Sequence, residues 1–290
     1  MRVVITGGSG RLGQYVIREL FTHNHAVAAL DAIKPRECLC PTYTVDLMRI
    51  DSFIDHFNNA DAVVHLARVR FPYTENGFNL AKQKWEFADI RGDAERFNRN
   101  VTITNNVVAA AQACAVKKLV CGSSLAVYGL YYPATDLQPA YLPIDEDHPL
   151  RPEDVYGLSK EIGETIARSY ARKGVETVML RPSGVVTAEE LEKIKKDGGR
   201  KPTGFYAYSY IDVRDLAVAF RLAVERPLPS GTVLFVVADD STVAEPLCDL
   251  YPRIMPAIGD KARYLTGSKG AYSNARAKKL LGWRPVHSWR

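Results

Sequence analysis

The sequence predicts an α/β fold, a doubly wound parallel sheet, and three observations predict it. Short, almost wholly apolar runs recur along the chain, as strands buried on both faces of a parallel sheet read. Stretches with helical periodicity alternate with them. A glycine-rich turn joins the first run to the first helix, the strand–turn–helix context in which backbone amides can face an anion.

The elements follow in order. Arg2–Thr6 is the first strand, and Gln14–Phe21 the first helix, with Tyr15, Val16, Leu20 and Phe21 among polar residues. His25–Leu30 is the second strand and ends against Asp31. Later strands are expected over Ala62–Leu66, Lys118–Cys121, Glu176–Leu180 and Thr232–Val237, and helices over Thr102–Ala115, Tyr156–Arg172 and Val213–Glu225. No internal repeat or low-complexity segment interrupts the pattern.

Gly7, Gly10 and Gly13 lie between the first strand and helix, spaced G-x-x-G-x-x-G. Such glycines permit a tight turn, let backbone approach a pyrophosphate, and aim a helix N-terminus at it, as in Rossmann-type dinucleotide sites. A plain glycine turn accounts for one of the three and poorly for all. Asp31, eighteen residues past Gly13, can bond ribose hydroxyls and repel a 2′-phosphate, which favours NAD over NADP. Arg11, Lys34 and Arg36 keep NADP open.

Tyr156 and Lys160 are four apart on a predicted helix and so share one face. A free tyrosine, with a pKa of about 10, is a poor base, and an ammonium fixed beside it favours the phenolate. Ser124, with Ser123 beside it, stands at a strand end where a hydroxyl can hold a substrate oxygen. Together these can move a proton to or from an alcohol or ketone. Alone, the Tyr–Lys spacing is an ordinary solvated helix face; the N-terminal glycines lift it.

At 290 residues and 47% hydrophobic, the chain can bury a sizeable core as one domain or two lobes. A net charge of +5, from 38 basic and 33 acidic residues, is too mild to argue for nucleic acid or membrane partners. No apolar run approaches the roughly 20 residues that span a bilayer, and the immediate first strand leaves no room for a signal peptide. The five cysteines (38, 40, 114, 121 and 248) show no metal-ligand spacing and predict reduced thiols in a cytoplasmic protein. No metal is expected. His65, at a strand end, is read as cofactor packing or as a catalytic acid.

Further stretches carry a family likeness. Ser123–Gly129 matches Ser-Ser-x-x-Val-Tyr-Gly, Asn100 opens a helix, and Pro143–Pro149 leads to Tyr156. Arg181-Pro182, Tyr210–Ala217 and Asn274–Pro285 complete an ordered set. The chain resembles an extended short-chain dehydrogenase/reductase of the NAD-dependent epimerase/dehydratase group over almost its whole length. The resemblance implies that Ser124, Tyr156, Lys160 and Asn100 form the catalytic set. It implies that Gly7, Gly10, Arg11, Leu12, Gly13, Asp31, Asp46, Leu47, Leu66, Ala67, Tyr156, Lys160 and Pro182 hold the cofactor. Substrate contacts fall to Arg68, Ser123, Ser124, Tyr156 and Ser183. It also implies an NAD-binding domain of residues 1–181 that receives 211–237, a substrate lobe of 182–210 plus 238–290, and a homodimer paired through the helices of Asn100 and Tyr156.

Two departures bear on substrate. Thirty-four residues separate His65 from Asn100, including Arg68, Arg70, Phe71, Tyr73, Trp85 and Phe87; they read equally as a lid or substrate wall and as a surface decoration. Pro202–Tyr210 contains no basic residue, where sugar-nucleotide enzymes of the group often carry an arginine. Lys193, Lys195, Lys196, Arg200 and Lys201 cluster just before it and read as a solvated helix face or an anion grip. Tyr206, Tyr208 and Tyr210 alternate, as lobe packing or a sugar platform would have them. The leading expectation is an NAD-dependent oxidoreductase acting on a secondary alcohol or ketone of a sugar-like substrate. A nucleotide-sugar epimerase or dehydratase with tightly bound NAD, and a non-catalytic NAD(P) sensor, are the alternatives.

Overall fold

The computed structural model describes residues 1–35, 37–69, 90–130, 137–202 and 208–290, with the short strands Phe78–Asn79 and Lys84–Trp85. Arg36, Arg70, Phe71, Tyr73, Phe87, Tyr206 and the Trp85 side chain lie outside the described residues.

In chain order the elements are β1 (Arg2–Thr6), α1 (Arg11–Thr22), β2 (Ala26–Asp31), β3 (Thr42–Thr44), β4 (Ala62–His65), β5 (Phe78–Asn79), β6 (Lys84–Trp85), α2 (Ile90–Ala113), β7 (Lys118–Gly122), α3 (Val155–Ala171), β8 (Glu176–Pro182), β9 (Gly184–Val186), α4 (Ala188–Lys196), β10 (Tyr210–Asp212), α5 (Val213–Glu225), β11 (Thr232–Val236), α6 (Leu247–Ile254) and α7 (Ala275–Leu281). Seven strands form one parallel sheet in the order β11-β8-β7-β4-β1-β2-β3. The α/β class and doubly wound order are those read from the sequence. The order reverses between β1 and β4, and in open α/β sheets the crevice beyond the strand ends at such a point holds the ligand.

Strand periodicity assigns each side chain to a face. Val3 and Ile5 of β1, Ala62 and Val64 of β4, Val120 of β7 and Val178 and Leu180 of β8 pack with α1 and α5. Their neighbours Val4, Val63, Leu119, Cys121 and Met179 join residues of α2 and α3 on the other face. Each fully buried aliphatic side chain of this kind is worth about 1.5–3 kcal/mol relative to exposure. Continuous apolar runs were therefore the right sign of strands with no solvent face.

Helix boundaries moved most. α1 begins at Arg11, three residues before Gln14, with Gly10 at the N-cap position. α2 begins at Ile90 rather than Thr102, so part of the stretch between His65 and Asn100 is helix. β8 runs to Pro182, which carries Arg181 into the strand.

After β8, β9 and β10 form a two-stranded parallel sheet. Tyr208, Val243, Leu247, Leu250, Tyr251, Ile258 and Tyr272 make a second cluster with Leu125, Val127 and Tyr128. Ala277, Leu281 and Trp283 instead join the core beside α1 and α5. Asp215 of α5 accepts the amides of Val286 and His287 at 3.0 and 2.9 Å, fixing the C-terminal segment. No helix among the described residues is long and apolar enough to cross a membrane.

Candidate active site

Two groups of predicted residues converge at the strand ends beside the reversal point. The first is the glycine turn. Gly7 donates to Leu30 O at 2.8 Å and Gly10 donates to Gly7 O at 3.1 Å, folding the turn on itself. A Cβ at Gly7 would meet Ala67 N at 2.6 Å, and one at Gly13 would meet Gly7 O at 2.3 Å, so the turn, the 66–67 strand end and α1 touch backbone to backbone. Gly10 gives α1 no side-chain cap, and no acidic residue stands in its first turn. Its N-terminal amides are the kind of uncapped donors that suit an anion. Asp31 closes the turn: its Oδ2 accepts Ser9 N at 2.9 Å, while the Ser9 hydroxyl donates to Ile33 O at 2.6 Å. A dinucleotide fits this arrangement, because the uncapped N-terminus of α1 suits a pyrophosphate and the Asp31 carboxylate stands at the end of the adjoining strand.

Other residues expected at the cofactor take varied places. Leu12 packs half-buried against the core. The half-exposed Arg11 pairs with Glu190 at 3.1 Å and donates to Val185 O at 3.1 Å, tying the turn to β9 and α4. Asp46 is exposed and accepts Met48 N at 3.0 Å, whereas Leu47 is buried and its carbonyl takes the Asn106 amide at 3.0 Å. Leu66 N donates to Thr6 O at 2.9 Å. Pro182 ends β8 opposite Val236.

The second group surrounds Tyr156. Asp154 caps α3, its Oδ1 accepting Gly157 N at 2.8 Å. Lys160, one turn on, donates to Gly122 O at 2.8 Å, which pins the ammonium to the end of β7. The Lys160 Nζ lies 5.9 Å from the Tyr156 ring centroid, and the Arg68 guanidinium carbon lies 5.2 Å from it. Burial pushes the Lys160 pKa down, Tyr156 opposes that shift and Arg68 adds to it. Ser124 caps the 3-10 turn Leu125–Tyr128, its Oγ accepting Ala126 N at 3.1 Å. A Cβ on Gly157 would stand 2.5 Å from Ala126 O, so α3 presses directly on the turn that Ser124 opens. Asn100 is buried; its Oδ1 accepts Val69 N at 2.8 Å and so fixes the 66–69 strand end, while its Nδ2 has no hydrogen-bond partner among the described residues. Ser183 is 8% exposed, just past the end of β8, and its hydroxyl has no partner among the described residues.

Several expectations change. Ser123, placed beside Ser124 at the substrate, gives its hydroxyl to Glu164 at 2.6 Å. His65 is locked between Thr6 Oγ at 2.7 Å and Thr104 Oγ at 3.3 Å. Burial, helped by the Lys160 charge, pushes its pKa down to about 3. Near neutral pH it is therefore an uncharged imidazole with both ring nitrogens engaged by threonine hydroxyls, not an imidazolium acid. Tyr208 and Tyr210 are buried, Tyr208 beside Tyr251 and Tyr210 bonded to Asp240 at 2.7 Å, so they are interior packing rather than a sugar platform. Lys193, Lys195, Lys196, Arg200 and Lys201 are exposed, as a solvated face would be.

Sequence reasoning missed Glu164 and the true setting of Arg181. Glu164 lies on α3 one turn beyond Lys160 and is 2% exposed, and Arg181 meets it through Nε at 2.8 Å and Nη2 at 2.7 Å. An arginine inside an otherwise apolar strand was the available signal, since such a charge needs a buried partner.

Known proteins resemble the chain in sequence and in fold. A model of the NAD dependent epimerase/dehydratase family matches residues 3–236. The chain is 28% identical over 236 residues to L-arabinose 1-dehydrogenase (NAD(P)(+)) of Haloferax volcanii, covering 79% of this chain and 85% of that one. It is 30% identical over 208 residues to UDP-glucose 4-epimerase of Lactobacillus helveticus, covering 68% of this chain but only 56% of the relative. A short-chain dehydrogenase/reductase superfamily protein from Agrobacterium tumefaciens, solved with bound NAD, superposes with a TM-score of 0.73 at 24% identity, covering 100% of this chain and 94% of that one. The chain belongs to the NAD dependent epimerase/dehydratase family.

Proposed function

We propose that this protein is an NAD-dependent oxidoreductase that acts on a secondary alcohol or ketone of a free sugar or sugar-like substrate. The observation that carries it is Lys160, pinned to Gly122 O one turn from Tyr156 while α3 presses on the turn opened by Ser124. The pyrophosphate of NAD would lie at the backbone of residues 7–13 and the start of α1, with Asp31 at the adenosine ribose and Asp46 and Leu47 toward the adenine. Leu66, Ala67 and Pro182 would flank the nicotinamide. NAD, when bound, supplies the hydride acceptor or donor.

The chain's own residues handle the proton. Tyr156 takes it from the substrate hydroxyl in oxidation and returns it in reduction. Lys160 holds positive charge beside the ring and reaches the nicotinamide ribose. Ser124 orients the substrate oxygen, and Asn100 steadies the strand end that presents Arg68. The Ser183 hydroxyl, without a partner among the described residues, and Arg68, beside the Tyr156 ring, line the substrate side. Residues 182–210 and 238–290 would form the substrate lobe. The absence of a basic residue in Pro202–Tyr210 and the relation to L-arabinose 1-dehydrogenase favour a free sugar.

Changing Tyr156→Phe should lower turnover by at least about 100-fold, the scale of a lost general base, with NADH affinity nearly intact. Retained turnover overturns the assignment. A second reading, a nucleotide-sugar epimerase, is favoured by the relation to the L. helveticus enzyme. Purification separates the two: NAD that co-purifies and is not consumed supports the epimerase, and dissociable NAD reduced by added sugar supports the dehydrogenase. We further infer a homodimer paired through α2 and α3, where Leu158 of α3 is exposed, and a cytoplasmic setting that suits five free cysteines. Sedimentation as a monomer would overturn the pairing.

A further inference from the structure

We propose that Glu164 and Ser123 are positioning residues, a buried hub that sets the register between the strand end carrying Ser124 and the helix carrying Tyr156 and Lys160. The inference rests on the proton-transfer role given above to those three residues.

The hub joins three elements whose ends carry the site. Glu164 stands on α3, Ser123 follows β7, and Arg181 lies in β8, two residues before Ser183. Oε1 of Glu164 accepts the Ser123 hydroxyl at 2.6 Å and Arg181 Nε at 2.8 Å. Oε2 accepts Arg181 Nη2 at 2.7 Å and Arg168 Nη1 at 3.2 Å. A carboxylate offers about four acceptor positions, and here all four are used. Burial alone would raise the Glu164 pKa, but the hydrogen bonds and charge of Arg181 outweigh it and hold the carboxyl below its ordinary range. Arg181 also donates through Nη1 to the Tyr128 hydroxyl, at the far end of the turn that Ser124 opens.

The placement is more than packing requires. Strand alternation puts Cys121, Ser123, Met179 and Arg181 on the α3 side of the sheet, where an aliphatic residue at 164 would fill the same space. Replacing a buried ion pair by apolar groups is often neutral or stabilising, so stability alone gives little reason for the charge. What the charge adds is direction. Ser123 N already donates to Leu180 O at 2.7 Å, and the hydroxyl bond to Glu164 then fixes the residue against α3 as well as β8. Ser124 is the next residue, and the Lys160 anchor, Gly122 O, is the residue before. A slip of Ser123 therefore moves the proposed oxygen-orienting hydroxyl and the lysine anchor together. Misplacement of catalytic groups by about 1 Å can cost about 100-fold in rate.

The test uses the full chain with L-arabinose and NAD as the probe pair, and compares Ser123→Ala, Glu164→Gln and Tyr156→Phe. Ser123→Ala leaves the Glu164–Arg181 pair intact and should still fold, with a melting temperature lowered by the loss of one buried hydrogen bond to a carboxylate. In it, kcat should fall by about 10- to 100-fold, while KM for the sugar and Kd for NADH stay within twofold. Glu164→Gln, if folded by its melting curve, should show the same split. As a readout free of turnover, the Tyr156 resonance in ring-13C-labelled protein, identified by its loss in Tyr156→Phe, should shift in Ser123→Ala. An unchanged resonance, or a wild-type kcat in Ser123→Ala beside an inactive Tyr156→Phe, overturns the positioning role alone. Full turnover in Tyr156→Phe overturns the underlying assignment instead.

Discussion

Lowering the pH should destabilise this fold through His65, and the size of the effect follows from the structure. The imidazole is 2% exposed and held between Thr6 and Thr104. Its pKa is pushed from 6.5 to about 3, chiefly by burial and secondarily by Lys160. The unfolded chain takes up this proton near pH 6.5, the folded chain only near pH 3. Throughout that window the unfolded state binds more protons, so stability falls as the pH drops through it. For one such group the loss between pH 7.5 and pH 5 is about 2 kcal/mol. Urea unfolding at the two pH values, on the parent protein and on His65→Gln, isolates the term because every other titrating group cancels in the comparison. The variant will be less stable at pH 7.5, having lost a fitted side chain, but its stability should fall about 2 kcal/mol less on acidification. Equal acid sensitivity in both proteins would refute the reasoning and imply that the site admits a charged imidazole.

Two further outcomes concern the cofactor end. Gly13→Ala places a Cβ 2.3 Å from Gly7 O and 2.8 Å from Gly8 Cα, both backbone, so the turn must open. Thermal or urea unfolding should register a loss of about 1–3 kcal/mol, and fluorescence titration should show NADH affinity reduced at least tenfold; unchanged binding would remove the turn from the cofactor site. Asp31→Asn keeps an acceptor for Ser9 N while removing the charge, and should raise the affinity for NADP relative to NAD by about tenfold, or about 1.4 kcal/mol. A ratio that does not move would show that repulsion by Asp31 does not set the preference.

What was legible in the sequence was local. The three glycines, the Tyr156–Lys160 spacing and the apolar strand runs each lie within a few residues, where backbone geometry ties sequence to shape. Asp31 was legible because the second strand ends there. Helix starts were less legible: α2 begins twelve residues before Thr102, in a stretch where Arg91, Asp93, Glu95, Arg96 and Arg99 obscure any apolar stripe. The hub around Glu164 was not legible at all. Ser123 and Glu164 are 41 residues apart, and Glu164 and Arg181 are 17 apart, with only parallel pairing bringing β7 and β8 beneath α3.

The same division explains Ser123 and the tyrosines. Sequence placed Ser123 next to Ser124, but consecutive residues at a strand end face opposite sides, and only the packed helix decides which side holds the substrate. Tyr208 and Tyr210 carried the alternation of a half-buried strand, yet both are buried against Tyr251 and Asp240, residues that only the C-terminal fold supplies. By itself, then, the sequence determined the sheet, the glycine turn and the Tyr156–Lys160 spacing on which the proposed proton transfer rests, because these depend on short-range geometry. The tertiary structure alone decided which hydroxyls are taken by protein partners, which charges pair in the interior and how burial holds the His65 pKa down. Those outcomes depend on burial and on partners brought together across the chain.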